Sequence, residues 1–531
     1  MRSGECGLSK NLYSKTMLAR VKSIATVGLE TVEVTVEVDV ATKGFPAFDM
    51  VGLPDKAVGE SRARVKKAIE NSGFAFPDKR ITVNLAPADL HKEGSNYDLP
   101  IAVGILIASE QLGEVEGYLY GELGLDGTVK HVRGTLLVAL AAKEREVKEI
   151  FVPIESAAEG AVVMGITVFP VRNLLELVRH LKGEKLIERV TPIEVAELLD
   201  DANSSVDMNE IAGQEVAKRA AEIAAAGGHN LLLVGPPGAG KTMLAKAFPS
   251  ILPPLLSDES LEVTRIYSVA GMLDPGQALM RRRPFRAPHH TASTISLIGG
   301  GSNPMPGEIS LAHLGVLFLD ELPEFPRSTL EVLRQPMEDG KVTITRANGR
   351  AEYPAKFMLL SSANPCPCGY LNHPFKECSC GERNIAKYRA RISGPILDRI
   401  DLHVWVDPVE VSKLTIENPK SEIRNPNEQA EASAGVRERV VMAREWQRKR
   451  FAGIKGMYAN AQMGNKEVKK YCPLSSEVKQ FLEAAAKKYN LSARAYFKVI
   501  KVARTIADLD GSENIEVAHI AEAAQYRENV W

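Results

Sequence analysis

Gly235-Pro236-Pro237-Gly238-Ala239-Gly240-Lys241-Thr242 is the stretch that decides the fold. An apolar run, Leu231-Leu232-Leu233-Val234, precedes it, and a helix-forming run, Met243-Leu244-Ala245-Lys246-Ala247, follows. Strand, glycine-rich turn and helix is the setting a phosphate-binding loop needs. Glycines let backbone N–H groups converge on phosphate oxygens without side-chain clash. The helix N-terminus adds partial positive charge. Lys241 is expected to reach the β- and γ-phosphates of a bound nucleotide, and Thr242 to ligate Mg²⁺.

Two apolar runs further along end in polar groups. Val316-Leu317-Phe318-Leu319 runs into Asp320-Glu321, and Phe357-Met358-Leu359-Leu360-Ser361-Ser362-Ala363 runs into Asn364. Buried parallel strands read as continuous apolar runs, and their C-terminal ends face the ligand. Asp320 is then placed to hold Mg²⁺ through water, and Glu321 to orient and deprotonate the attacking water. Asn364 is placed to hydrogen-bond that water or the γ-phosphate. The plain alternatives are a capped strand with solvated acids and a strand-ending turn.

Composition sets the class. A chain of 531 residues has material for several domains, and 45% hydrophobic with 25% charged residues is ordinary for a globular protein. The net charge of −1 means that any nucleic-acid contact must be a local basic patch. No apolar run is long enough for a membrane span, and Met1–Cys6 lacks the apolar core of a secretory signal, so a cytoplasmic location and no membrane partner are expected.

Residues 1–16 read as a disordered lead, with Met17 as good a start as Met1. An α/β domain is expected over 17–195. Thr31–Val40 alternates as a half-buried strand, Gly44–Asp55 is turn-rich, Ser61–Ser72 and Leu99–Gln111 are helical, and Ile81–Leu85 and Ile150–Pro153 are strands. Asp200–Ser205 is a polar linker, and the nucleotide domain spans 203–408. A second linker, Glu417–Ser433, leads into a helical region over 425–531, with Pro473-Leu474-Ser475 as a helix start.

Cys366-Pro367-Cys368 and Cys378-Ser379-Cys380 follow directly after Asn364. Residues two apart in extended chain point the same way, so each pair offers two thiolates to one ion. Four thiolates suit tetrahedral Zn²⁺; reduced free thiols and disulfides are the other readings. His373 is a substitute ligand. Alternating residues over Lys341–Ala355 flank Asn348-Gly349, a hairpin signal. Lys341, Arg346 and Arg350 there are candidate DNA-phosphate contacts, against a hairpin whose charges are merely solvated. Basic runs at Arg281–Arg286 and Arg437–Arg450 are read chiefly as solvated faces.

The order of these motifs resembles the AAA+ ATPases. Gly307–His313, Leu319–Phe325 and Ser393–Leu402 are similar to the magnesium-chelatase-like AAA+ family known as YifB or ComM, from Met17 to the end. That resemblance implies an AAA+ P-loop NTPase core, an N-terminal α/β S5 domain 2-like (Lon-like) domain and a C-terminal helical lid. It implies roles by position: Asn364 at sensor 1, Arg399 as an arginine finger acting in trans with Arg391 the lesser candidate, and Arg494 at sensor 2. Ile211, Gly213 and Gln214 would line the adenine pocket. A finger in trans implies a ring, commonly a homo-hexamer, and the hairpin would face its pore. The first domain resembles Lon peptidases, but Leu136 falls at their lysine and Tyr97, not Ser95, at their serine, so peptidase activity is not expected. The function implied is an ATP-driven motor remodelling single-stranded or branched DNA, as in branch migration during recombination or natural transformation. The rivals are the ATPase subunit of a metal chelatase and a protein-remodelling scaffold.

Overall fold

Alternation over the first strands becomes a sheet with one buried face. In the computed structural model the described residues are 18–42, 45–52, 56–88, 92, 94–195, 206–301, 304–346, 349–408, 431–454, 456–527 and 531. The expected lead, the linker at 200–205 and most of that at 417–433 lie outside them. The chain divides into two compact units, Met1–Val195 with Tyr267–Leu279, and Ala196–Ile266 with Met280–Trp531.

In the first unit, β1 (Leu18–Val27), β2 (Glu30–Val40), β3 (Ala47–Val51), β4 (Arg80–Ala86), β5 (Tyr118–Leu119), β8 (Glu149–Pro153) and β9 (Thr167–Val171) form a seven-stranded sheet in the order β3-β4-β2-β1-β5-β8-β9. Short strands β6 (Glu122–Leu123) and β7 (Val129–Lys130) pair separately. Val34, Val36, Val38 and Val40 are buried, as the period of two requires. They share a core with the helix Asp98–Ala108, which is buried along almost its whole length and is therefore apolar on every side. The turn-rich reading of 44–55 is corrected: β3 lies within it and pairs in parallel with β4. Long-range pairing overrides the local Gly and Pro signals there. Leu136 and Tyr97 are both buried, and the Ser95 hydroxyl is bonded to the Glu122 carboxylate.

Tyr267–Leu279 comes from the long interval between Thr242 and Asp320, yet it belongs to this first unit. The Ser268 hydroxyl donates to Glu159 Oε2 at 2.6 Å, and the Ser268 carbonyl accepts the Gly134 N–H at 3.2 Å. Burial pushes the Glu159 carboxyl up to about 7.

In the second unit, β10 (Leu231–Val234), β11 (Phe285–Arg286), β14 (Val316–Leu319), β17 (Met358–Ala363) and β18 (Leu402–Trp405) form a parallel sheet in the order β11-β14-β17-β10-β18. Strands β12 (Gly299–Gly300) and β13 (Met305–Pro306), and β15 (Lys341–Arg346) and β16 (Gly349–Pro354), make two antiparallel pairs. Every residue of β10, β14 and β17 is buried, as expected for strands covered on both faces. The helix Glu215–Gly227 turns Ala217, Ala220, Ala221 and Ala224 into the core and ends at Gly228 in the left-handed conformation. Asn230 ties the sheet together. Its side chain donates to the Arg399 carbonyl at 3.0 Å and accepts the Leu359 N–H at 2.8 Å.

The helices Ser433–Arg450, Asn465–Tyr471, Ser476–Lys488, Ala493–Leu509 and Val517–Gln525 share one hydrophobic core with that sheet. Ser475 caps the third, its hydroxyl accepting the Val478 N–H at 3.2 Å. Buried Asp508 accepts from Arg450 at 2.5 and 2.8 Å, from Arg504 at 3.1 Å and from Asn460 at 2.8 Å. No helix among the described residues is long and apolar enough to cross a membrane.

Removing the Asp508 carboxylate leaves two guanidinium groups without their shared counter-charge in the interior. Asp508→Ala is expected to destabilise this unit by about 3–5 kcal/mol. All three tryptophans, Trp405, Trp446 and Trp531, lie in this unit, so intrinsic fluorescence in a urea titration reads it selectively. An unchanged midpoint would contradict the assignment.

Candidate functional site

The loop after β10 must pass close to its neighbours. A side chain at Gly235 would collide with the Val406 carbonyl, and Gly238 and Gly240 have φ of 77° and 87°. These are left-handed conformations that glycine adopts without cost. The helix Lys241–Ala247 then begins. Lys241 is buried, and its ammonium donates to the Gly235 and Pro236 carbonyls at 2.7 and 2.8 Å and to Asn364 Oδ1 at 3.1 Å. Burial lowers its pKa to about 8, although Asp320 and Glu321 pull the other way.

Thr242 Oγ1 donates to Asp320 Oδ2 at 2.9 Å. A hydroxyl and a carboxylate side by side are the hard oxygen donors that Mg²⁺ takes, so this pair fits the ion. Asp320 is also bonded to the Ser362 hydroxyl, which accepts the Glu321 N–H at 3.0 Å. Glu321 is exposed and has φ of 53°, a conformation that costs free energy in a non-glycine residue. The phosphate loop, Asp320 and Asn364 therefore converge at the C-terminal ends of adjacent parallel strands. Gln214 joins them, its amide donating to the Ala239 carbonyl at 3.2 Å and the Asp407 carbonyl at 2.6 Å. Ile211 is buried, and Gly213 and Gln214 both have positive φ. Ser362 was missed in the sequence because a serine within an apolar run carries no signal until the register of β14 and β17 is known.

Arg399 and Arg494 lie together elsewhere. Arg399 Nη2 is 2.5 Å from Glu338 Oε1, and Arg494 is bonded to the same carboxylate. The hydrogen bonds from Arg399 and then Arg494 lower the Glu338 pKa to about 2. All three line a cavity of about 730 Å³ with Lys498, Lys501 and Asp401. No residue of Gly235–Thr242, and neither Asp320 nor Asn364, lines it. Glu338 carries no sequence signal of its own. Arg391 pairs with Glu324 at 2.7 Å.

The other candidates separate. Lys341 pairs with Glu352 at 3.1 Å across the β15–β16 hairpin, and Arg350 is exposed. The Arg346 side chain and residues 347–348 lie outside the described structure. The basic runs are not simply wet faces. Arg283 pairs with Glu259 at 2.6 Å, Arg286 with Glu308 at 2.6 Å, and Arg439 with Glu222 at 2.5 Å, while Arg444 donates to the Ala225 carbonyl at 2.9 Å.

The four clustered cysteines bring their sulfurs within 4.8 Å of one another. Sγ separations are 3.4 Å for Cys366–Cys368 and 3.6 Å for both Cys366–Cys378 and Cys368–Cys378. Tetrahedral Zn²⁺ with sulfur at the usual distance needs edges of about 3.8 Å, so the donor set fits that ion. No disulfide joins any of the four, which leaves the metal and reduced-thiol readings and sets aside the disulfide one. His373 is not among the four; its Nδ1 accepts the Phe375 and Lys376 N–H groups at 3.0 and 3.1 Å.

Three family models match the chain: "Magnesium chelatase, subunit ChlI" over 207–414, "Subunit ChlI of Mg-chelatase" over 36–156, and "Magnesium chelatase, subunit ChlI C-terminal" over 430–527. The mixed α/β architecture with its parallel sheet fits an AAA+ type fold. A competence protein, ComM, of Haemophilus influenzae is 43% identical over 514 residues, which is 96% of this chain and 97% of that protein. The proteins called YifB of Salmonella typhimurium and Escherichia coli are 43% and 42% identical, again over 96% of this chain and 97% of theirs. On matches that run through both units, the chain belongs to the YifB/ComM family of magnesium-chelatase-like proteins.

Proposed function

We propose that this chain is an ATP-driven ring motor that remodels branched or single-stranded DNA. ATPase activity with Mg²⁺ follows from the family. The convergence of Lys241, the Thr242–Asp320 pair and Asn364 is the observation that carries the hydrolytic reading. Mg²⁺, held by Thr242 and Asp320, would neutralise charge on the phosphates. Lys241 would exchange its loop carbonyls for phosphate oxygens. Glu321, exposed beside Asp320, would take the proton from the attacking water while Asn364 orients it. Zn²⁺ at the four cysteines completes the proposed cofactor set.

The placing of Arg399 and Arg494 supports a ring. Both face a cavity away from this chain's own phosphate loop, so they would serve a nucleotide held by a neighbouring copy. The exposed hairpin residue Arg350, with Lys341 and Arg346, would contact DNA phosphates in the pore. The competence name of the H. influenzae relative favours DNA as substrate. The chelatase reading rests on the family description alone.

Glu321→Gln is expected to bind ATP normally but hydrolyse it about 10²–10⁴-fold more slowly, whereas Lys241→Ala loses binding itself. Wild-type turnover should rise on adding a four-way DNA junction, and that rise should fade steeply with salt. Turnover indifferent to DNA at low salt would sink the DNA reading and leave the ATPase reading standing.

The lysine adds a pH signature. Bound phosphates favour the charged form of Lys241, whose pKa in the free protein is lowered to about 8. Binding above that pH must therefore take up a proton. Affinity for Mg-ATP should be flat just above neutrality and fall by about tenfold per pH unit once pH exceeds 8. Titration calorimetry in buffers of different ionisation heat measures the proton uptake, and zero uptake at high pH would refute it.

A further inference from the structure

We propose that metal held by Cys366, Cys368, Cys378 and Cys380 braces the phosphate loop, so that Zn²⁺ occupancy sets nucleotide affinity. This rests on the reading of Gly235–Thr242 as a nucleotide site, and extends it to a control on that site.

The connection is short and traceable. Strand β17 ends at Ala363, and Asn364 holds the Lys241 ammonium at 3.1 Å. The Pro365 carbonyl accepts from Arg389 Nε at 3.3 Å. Cys366 comes next and is fully buried. The chain then turns, with the Gly369 N–H donating to the Cys366 carbonyl at 3.0 Å. Gly369 has φ of +82° and lies directly against the phosphate loop: a Cβ there would be 2.5 Å from Pro237 Cδ and 3.8 Å from Asn364 Cγ. The cysteine turn thus supports one side of the loop while Asn364 supports its lysine.

Apart from local contacts, such as those of His373 with Tyr370, Phe375 and Lys376, little packing holds this turn. Residues 364–381 contain no helix or strand, and Phe375 is 80% exposed, so no apolar core of its own forms there. The four sulfurs are gathered instead, and the Cys368 N–H points at Cys380 Sγ at 3.4 Å. Soft thiolates at these spacings select Zn²⁺ over hard cations such as Mg²⁺, which keeps this site chemically distinct from the Thr242–Asp320 pair. A metal crosslink takes the part of a core in a segment too short to bury one.

The test uses the whole protein, without DNA. Metal analysis of the purified protein is expected to give one zinc per chain. A zinc chelator that spares Mg²⁺ should weaken binding of a fluorescent ATP analogue about tenfold or more, given how steeply function falls with small misplacements. Re-adding Zn²⁺ should restore it. The double variant Cys378→Ser with Cys380→Ser should lose the zinc and match the chelated protein. Gly369→Ala should keep the zinc yet weaken the analogue, because it disturbs the contact with Pro237 directly. An affinity unmoved by zinc removal, or not recovered on re-adding it, overturns the inference. So do protein that takes up no zinc or holds iron instead, and a Gly369→Ala variant with wild-type affinity. Zinc-loaded protein that binds no analogue overturns the nucleotide reading itself.

Discussion

A buried ammonium governs the second unit. Lys241 has lost water, and the Gly235 and Pro236 carbonyls with Asn364 replace it. Such a group is costly to bury unless its donors are satisfied, so the loop, the lysine and the end of β17 are fixed together. The sheet order makes this possible. With β17 between β10 and β14, Ala363 pairs with Val234 and its carbonyl accepts the Gly235 N–H at 3.2 Å. The next side chain, Asn364, then falls beside Lys241, and Ser362 falls beside Asp320. One topological choice places both polar groups.

The parts legible in the sequence were those where local chemistry and burial agree. An uninterrupted apolar run before a polar terminus marks a strand covered on both faces, and β10, β14 and β17 all have this form. The phosphate loop was legible because its glycines answer a backbone demand, left-handed φ at Gly238 and Gly240. What stayed hidden depends on pairing between distant residues. Glu338 looks like any surface acid until the fold brings Arg399 and Arg494 to it. Strand β3 lies in a Gly- and Pro-rich segment and exists because β4 offers it an edge. Tyr267–Leu279 falls inside the 203–408 span expected for the nucleotide domain, and only contacts such as Ser268 to Glu159 assign it to the first unit.

Charge shows the same limit. Runs of arginine resemble nucleic-acid surfaces in a sequence, yet Arg283, Arg286, Arg439 and Arg450 are each neutralised within the fold by a named carboxylate. Arg444 is instead satisfied by the Ala225 and Tyr458 carbonyls. Arg439, Arg444 and Arg450 tie one helix to another, Arg283 ties a loop to a helix, and only Arg286 joins the sheet to a helix.

The cavity around Glu338 differs in kind. Arg399, Arg494, Lys498 and Lys501 line it, against the carboxylates of Glu338 and Asp401. Asp401 faces inward: burial pushes its pKa up, but Lys498 at 2.8 Å and His229 outweigh burial and hold it low, and the Asn230 N–H donates to it at 2.8 Å. That leaves Glu338 as the counter-charge for two arginines, at the end of the helix Arg334–Asp339. Gly340, with φ of 65°, turns the chain directly from this helix into β15. An anion with more charge than one carboxylate, arriving in this cavity, would compete with Glu338 for both guanidinium groups. The carboxylate it displaced is three residues from the hairpin's first lysine, so the arginine cavity and the root of the hairpin are separated by little more than one glycine turn.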